Sequence, residues 1–193
     1  MYIQLLRLMA EGLFAPRTSA RWILSGQNGL EVAVQFAVLA YCLQAMLAVV
    51  IPGARPVELT EDGIPIGSHV LNIIAQVALV GVLGLAVYGL GRLFGGEGTR
   101  DQALVITAWH TLVTTLLSPL FLLGASATRG GSPEDMPIGV VFIFAIGVSQ
   151  YLWVLACYTM ELHGFRNPWS VLGVMVAVAL LFSTALISLG TTA

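Results

Sequence analysis

The chain has 193 residues, of which 58% are hydrophobic and 9% are charged, whereas a typical soluble domain carries about 25% charged residues. This composition excludes an ordinary soluble domain and indicates an integral membrane protein. The formal net charge is −2 and the eight basic residues are arginines scattered along the chain. Because they form no basic tract that would grip a phosphate backbone, a nucleic-acid partner is excluded.

The N-terminal segment has the pattern of an amphipathic helix. Apolar residues alternate with Arg7 and Glu11 until Pro16 interrupts the pattern, which predicts a short helix lying in the membrane surface. A second short piece carries Arg21 and Trp22, a basic and aromatic combination that suits the headgroup layer. The alternative for this segment is a disordered tail.

Five apolar runs are long enough to cross a hydrocarbon core of about 30 Å, which takes roughly 20 helical residues. Turn formers are frequent in the connectors between them. We therefore predict an all-α fold class, a polytopic membrane helical bundle with five transmembrane helices and an N-terminal interfacial helix. The predicted domains are a cytoplasmic amphipathic interfacial segment at 1–28 and a five-span membrane domain at 29–193. The predicted spans are 30–51, 69–94, 103–124, 137–160 and 169–190.

The arginines also predict the orientation of the bundle. With the N-terminus in the cytoplasm, six of the eight arginines lie inside and only Arg55 and Arg129 lie outside, as the positive-inside rule requires. The C-terminus is then expected outside the cell.

The stretch "GLGRLFGGEGTRDQ" at residues 89–102 is crowded with glycines, like a loop that cradles a phosphate. A nucleotide site needs a strand before such a loop, and here a predicted membrane span precedes it. We predict a tight cytoplasmic hairpin instead. Gly95, Gly96 and Gly98 allow positive φ where one helix ends. Thr99 and Gln102 form a capping box that starts the next helix.

Polar side chains inside the spans form a candidate cluster. Amides and imidazoles in hydrocarbon must find partners or face an aqueous cavity. The preferred interpretation is hydrogen bonding between helices, and the alternative is a path for a solute or a proton. The spans carry no Asp, Glu, Arg or Lys at mid-bilayer, and these are the usual relay and coupling residues of such paths. The cluster consists of Gln35, Gln44, Asn72, Gln76, His110 and Gln150.

Small residues along the second span add a packing pattern. Gly81, Gly84, Gly91 and Gly95 let neighbouring backbones approach closely. They serve either the packing of this bundle or contact with another subunit, and the sequence leaves both open.

Two arrangements in the sequence carry a weak chemical signal. The small residues at 124–127 distantly resemble an intramembrane serine protease motif, but two residue types at similar depth make no catalytic triad. Glu161 and His163, with Glu97 or Asp101, form a solvated polar connector rather than a metal site with defined ligands. We therefore predict no catalytic residues, no metal and no cofactor.

Two segments carry a resemblance to a known family. The stretch "GGEGTRDQALVITAWHTLV" and the later "WVLACYTMELHGFRNPWSVLGVMVA" resemble the Yip (Yip-one, Ypt/Rab-interacting) domain family of integral membrane proteins. In that family the inner loop often reads Gly-Gly-x-Gly-Ser/Thr, and the fourth connector often pairs a small residue with a polar one, here His163 and Gly164. The resemblance implies five spans and a cytoplasmic N-terminus.

The departures from that family limit what the resemblance implies. Eukaryotic members bind Rab-type GTPases in association with a longer cytosolic region and an Asp-Leu-Tyr-Gly-Pro element, and this sequence has neither. Rab-type GTPase binding is therefore not expected, and the chain looks like the short bacterial members.

The functional prediction is a non-enzymatic scaffold or adaptor in membrane protein assembly or membrane organisation, located in the bacterial inner membrane. The expected partners are membrane lipids and either other membrane proteins or a second copy of this chain. The alternative is a passive channel or transporter component with a polar intramembrane cavity.

Overall fold

The computed structural model describes residues 2–26, 29–50, 66–121 and 137–190. Over these ranges the chain is all helical, as the sequence predicts, with seven α-helices. A 3-10 turn at Thr115–Leu117 continues the fifth helix. The helices are α1 (Tyr2–Phe14), α2 (Pro16–Ser25), α3 (Leu30–Val50), α4 (Ile66–Leu93), α5 (Arg100–Thr114), α6 (Ile138–His163) and α7 (Pro168–Gly190).

Four of the described helices are long and apolar enough to cross a membrane. α7 is helical over Pro168–Gly190, and its apolar stretch is described over Pro168–Val178. The predicted fifth span therefore stays a prediction. The four membrane-capable stretches are Leu30–Leu47, His69–Leu93, Arg100–Phe121 and Ile138–His163.

The fourth predicted span ended at residue 160, but α6 continues through Glu161 to His163. Polar side chains suggested a connector there. In the structure Glu161 is paired with arginines of α2 and His163 is 2% exposed. Because both polar groups have partners within the fold, the helix has no reason to end before them.

α5 lies at the centre of the bundle, with almost every side chain from Ala103 to Thr115 buried. α3 presents small residues to it, since Ala33, Ala37 and Ala40 are all buried. On the α4 side, a Cβ added at Gly84 would meet Leu104 at 3.0 Å, which shows how closely the two backbones approach. Small residues let helices that are apolar on all sides pack with their backbones this close together.

One end of the bundle holds two tight helix connections, and we call it the hairpin end. There α4 is followed by α5, and α6 is followed by α7. Gly95 and Gly164 each have positive φ, 79° and 69°. Both sites carry the 6→1 hydrogen bond of a Schellman motif, from Gly96 N to the carbonyl of Gly91 at 2.8 Å and from Phe165 N to that of Met160 at 3.0 Å.

The N-terminal helices α1 and α2, here called the arm, pack against α5 and α6. Met9 and Ala20 are fully buried, and Ile23 is 2% exposed. Pro16 begins α2, where its missing N–H is not needed by the helix. The arm therefore belongs to the same hydrophobic core as the bundle.

Candidate functional site

A buried chain of hydrogen bonds joins the arm to two helices of the bundle. The indole Nε1 of Trp109 donates to Ser19 Oγ at 2.8 Å, and Ser19 Oγ lies 3.2 Å from the phenol oxygen of Tyr158. The Tyr158 hydroxyl also donates to the carbonyl oxygen of Gly12 over a longer 3.4 Å. We call these four residues the arm-docking network. Since Trp109 and Tyr158 are 1% and 0% exposed, an indole or phenol without a partner there would be strongly unfavourable.

Ionic contacts extend the attachment of the arm at the hairpin end. Arg17 Nε donates to Glu161 Oε1 at 2.9 Å, and Arg21 Nε donates to Glu161 Oε2 at 2.8 Å. The hydrogen bond from Arg21 to Glu161, and then the charge of that carboxylate, raise the pKa of Arg21. Only 12% of the Glu161 side chain is exposed, whereas both arginines are largely exposed. One carboxylate of α6 thus holds two cations of α2.

A third attachment lies deeper in the bundle. The amide Nε2 of Gln150 donates to the backbone carbonyl of Leu13 at 2.7 Å. At about 1.5 Å per residue, Gln150 lies roughly 20 Å along α6 from its C-terminal end. Close to this level, a Cβ at Gly12 would lie 2.7 Å from Val113. The end of α1 therefore reaches well into the bundle and is not confined to its end surface.

His163 is enclosed by the glycines of the first hairpin. A Cβ at Gly91 would overlap the imidazole, and a Cβ at Gly96 or Gly98 would lie within 3.0 Å of it. The ring contacts the backbone of α4 through Nε2 and the carbonyl oxygen of Val87, 3.2 Å apart. The glycine-rich stretch therefore provides a socket for a side chain of the protein itself.

The predicted hairpin residues have different roles in this arrangement. Gly95 has positive φ, whereas Gly96 and Gly98 do not; they make room for the ring of His163. Thr99 and Gln102 form the predicted capping box, with Gln102 N donating to Thr99 Oγ1 at 3.3 Å and Thr99 N donating to Gln102 Oε1 at 3.1 Å.

Two residues of the predicted polar cluster meet at a second feature, a cavity of about 250 Å3. Gln44 and Gln76 both line it, from α3 and α4. Gln44 Nε2 also approaches Thr115 Oγ1 at 3.4 Å. We call this space the polar cavity. Its other polar lining residues are Thr111, Thr114, Ser118 and Tyr151.

The other predicted cluster residues lie apart from that cavity. His110 is fully buried, and its Nε2 lies 3.2 Å from the Tyr151 carbonyl oxygen. Gln35 is exposed and donates to Glu31 within α3 at 3.3 Å, and Asn72 is exposed on α4. Gln150 binds the arm. The six predicted residues therefore do not share one axis.

The sequence patterns did not identify the hydroxyl groups that line the polar cavity or the one that attaches the arm. Thr111 and Thr114 bond carbonyl oxygens one turn back in α5, at 3.0 Å and 2.8 Å, as hydroxyls in apolar helices commonly do. The run "TLVTTLLS" was the available signal for the wall of the polar cavity. Ser19 carried no signal, because a serine in a short surface helix is usually solvated.

The two residues of the predicted polar connector, Glu161 and His163, have other contacts in the structure. Glu161 is held by two arginines. Over residues 2–26, 29–50, 66–121 and 137–190, no three or more His, Cys, Asp or Glu side chains are grouped so as to hold a metal ion.

Comparison with known proteins gives one match. The family model described as the Yip1 domain matches residues 11–189, nearly the whole chain. That range includes α2, α3 to α6 with the hairpin, and α7 up to residue 189. No curated protein and no solved structure matches the chain.

Proposed function

Because this chain belongs to the Yip1 domain family of membrane proteins, we propose that it acts as a scaffold or adaptor in membrane protein assembly or membrane organisation. The family is in general non-enzymatic. Family membership and the apolar helices assign the protein to a membrane. The bacterial inner membrane, with the hairpin end in the cytoplasm, is part of the proposal.

The attachment of the arm is the observation that carries this proposal. Several buried or ionic groups of the kind that a catalyst or a carrier would use are here bonded to other parts of the same chain. Trp109, Ser19 and Tyr158 bond one another, while Glu161 holds Arg17 and Arg21. These contacts hold the arm against α5 and α6, and they fix in place the surface that we propose for recognition of a partner.

The proposed topology has five spans, with α7 as the fifth. A helix of 23 residues is long enough for a core of about 30 Å at about 1.5 Å per residue. Five arginines lie on the hairpin-end side and favour a cytoplasmic location for it: Arg17, Arg21, Arg92, Arg100 and Arg166. The C-terminus then lies outside.

Cysteine labelling tests this topology. Single cysteines replace Thr99 or Gly131 in a background where Cys42 and Cys157 are substituted. An impermeant thiol reagent applied to intact cells should label position 131 and not position 99. Labelling of position 99 without permeabilisation would invert the proposed orientation.

Affinity purification in mild detergent tests the adaptor role. We expect a stoichiometric membrane protein partner that is retained by the full-length protein. Substituting exposed Arg7, or exposed Trp22 on α2, should weaken that retention if the arm surface is the contact. As a control, exposed Leu71 of α4, on another element, is changed to Ala and should retain the partner. Purified protein that captures no membrane protein under these conditions would count against the adaptor role.

The polar cavity favours a second candidate, a passive channel. Gln44 and Gln76 line a space of about 250 Å3, large enough for several waters. Directly beside it, however, lies a packed layer: His110 is 0% exposed and packs against Tyr151, which lines the cavity. The channel alternative requires that layer to open. Liposomes containing the protein should show no ion or solute flux above empty liposomes, whereas a flux lost on Gln44→Leu or Gln76→Leu would favour the channel.

A further inference from the structure

A second cavity, larger than the polar cavity, lies between α4 and α7 at the hairpin end. Its volume is about 320 Å3, within the range of roughly 300–1,000 Å3 that is typical of ligand pockets. α7 packs chiefly on α6, which leaves this space beside α4. The apolar walls are formed by Val87, Leu90, Phe94, Val171, Val174 and Met175.

One polar group is buried in the wall of this cavity without a partner. Thr159 of α6 lines it and is 5% exposed. Its hydroxyl Oγ1 has no hydrogen-bond partner among the described residues. A hydroxyl in an apolar helix usually bonds a carbonyl one turn back, as Thr111 and Thr114 do here. The Thr159 hydroxyl is therefore available to a molecule in the cavity.

The mouth of the cavity is polar and positively charged. Arg166, Asn167 and Ser170 line it at the connector and first turn of α7. Asn167 Oδ1 accepts a hydrogen bond from the backbone N of Trp169 at 2.9 Å, and the NH2 group of the same amide is a donor for an anion. Over the described parts of the chain, Arg166 forms no ion pair, unlike Arg17 and Arg21. An unpaired guanidinium at a cavity mouth is complementary to a phosphate group.

We propose that this cavity binds an anionic phospholipid, with its phosphate at Arg166 and an acyl chain between α4 and α7. Basic pockets between transmembrane helices are a known way of holding phospholipid headgroups. The inference concerns a different surface from the arm and does not depend on the adaptor role.

The order of groups along the cavity matches the order of groups in a phospholipid. Arg166 lies just beyond the ends of α6 and α7, at the level of a phosphate. Thr159 lies about 6 Å farther into the bundle than the end of α6, at about 1.5 Å per residue. At that depth, an ester carbonyl oxygen would accept a hydrogen bond from its hydroxyl. Val174 and Met175 lie about 10 Å into α7 by the same measure, where only hydrocarbon is expected.

Native mass spectrometry of the full-length protein in neutral detergent tests this proposal. The probes are phosphatidylglycerol, which is anionic, and phosphatidylcholine, which is zwitterionic. We expect tighter binding of phosphatidylglycerol. Arg166→Gln should weaken it by about tenfold, and Thr159→Val by about threefold to tenfold. Arg100→Gln is the matched control, because this exposed arginine lies at the same end but does not line the cavity.

A second variant tests the acyl-chain position. Val174→Phe should fill the cavity and weaken both lipids, whereas Val176→Phe, at an exposed site on the same helix outside the cavity lining, should not. Because Val174→Phe also risks misfolding, a phosphatidylglycerol with a photoreactive acyl chain provides an independent measurement on the unmodified protein. Its adducts should fall on residues 87–94 and 159–175. Three outcomes would each overturn the proposal. The first is a set of adducts spread evenly over the exposed face of α6, and the second is equal binding of phosphatidylglycerol by Arg166→Gln and the native protein. The third is a second copy of the chain cross-linked at the cavity.

Discussion

The side-chain oxygens of Ser19 and Tyr158 lie 3.2 Å apart, although 139 positions separate these residues in the chain. Ser19 is on the arm and Tyr158 is on α6, and the indole of Trp109 on α5 donates to the same serine oxygen. One small hydroxyl therefore connects three elements. Because the site is buried, each partner depends on the others for its hydrogen bonds.

The first prediction concerns Ser19. Ser19→Ala removes the acceptor of the Trp109 indole, and leaving such a buried donor unsatisfied costs about 1–3 kcal/mol. Thermal unfolding in detergent should show this loss of stability. Thr18→Ala, at an exposed neighbouring position, should stay within about 0.5 kcal/mol of the native protein. Equal stability of the two variants would mean that the network does not contribute to the fold.

The second prediction concerns the ionic attachment of the arm. Glu161→Gln removes the charge that holds Arg17 and Arg21. Hydrogen exchange of the α2 amides should become faster, while exchange in α5 stays unchanged. The charge reversal Arg21→Glu should have the same effect, and Arg21→Glu combined with Glu161→Arg should partly restore protection. Arg7→Gln is the control, because its partner is Glu11 within α1. If α2 exchanges at the native rate in Glu161→Gln, the ion pairs do not hold the arm.

The third prediction concerns the socket for His163. A Cβ at Gly91 would overlap the imidazole, and overpacking of this kind typically costs about 1–3 kcal/mol. Gly91→Ala should therefore lower the midpoint of thermal unfolding. Gly89→Ala is the matched control in the same helix, since a Cβ there meets open space, and alanine is favoured over glycine in helices by about 1 kcal/mol.

A double variant shows whether the contact between the new Cβ at position 91 and the His163 ring causes the loss of stability. His163→Ala removes the ring, so Gly91→Ala should destabilise the His163→Ala protein much less than it destabilises the native one. Additive effects of the two substitutions would contradict the socket.

The fourth prediction concerns His110. Its ring lies 4.5 Å from that of Tyr151 in an edge-to-face arrangement, and its Nε2 contacts the Tyr151 carbonyl oxygen. His110→Leu should destabilise the protein by about 1–2 kcal/mol, from the lost hydrogen bond and ring contact. The control Leu71→Ala, at an exposed position, should lower the free energy of unfolding by less. A folded His110→Leu protein that loses an ion or solute flux would show that His110 has a transport role.

Local patterns in the sequence predicted the helices well. The predicted span at 30–51 is observed as Leu30–Val50, and the predicted start at 169 is observed at Pro168. The capping box of Thr99 and Gln102 is also present. These features depend on hydropathy and on residues within one helical turn of each other, so a single sequence contains the information.

Residues that are distant in sequence were predicted less well. Gln44 and Gln76 belong to the predicted polar cluster, and they line one cavity. Depth along a helix follows from counting residues, but the side of the helix that faces a neighbour does not, since these helices are apolar all round. The predicted cluster therefore contains Gln35 as well as His110, although Gln35 bonds Glu31 on an exposed face.

The sequence by itself determined that this is a membrane protein of apolar helices with a tight glycine hairpin, because composition and local spacing control those properties. Only the tertiary structure decided which partners the polar residues contact. It brought Ser19 to Trp109, Glu161 to the arm and His163 into the glycines of the hairpin. Each contact joins elements far apart in the chain, and its geometry depends on how closely and at what rotation the helices pack.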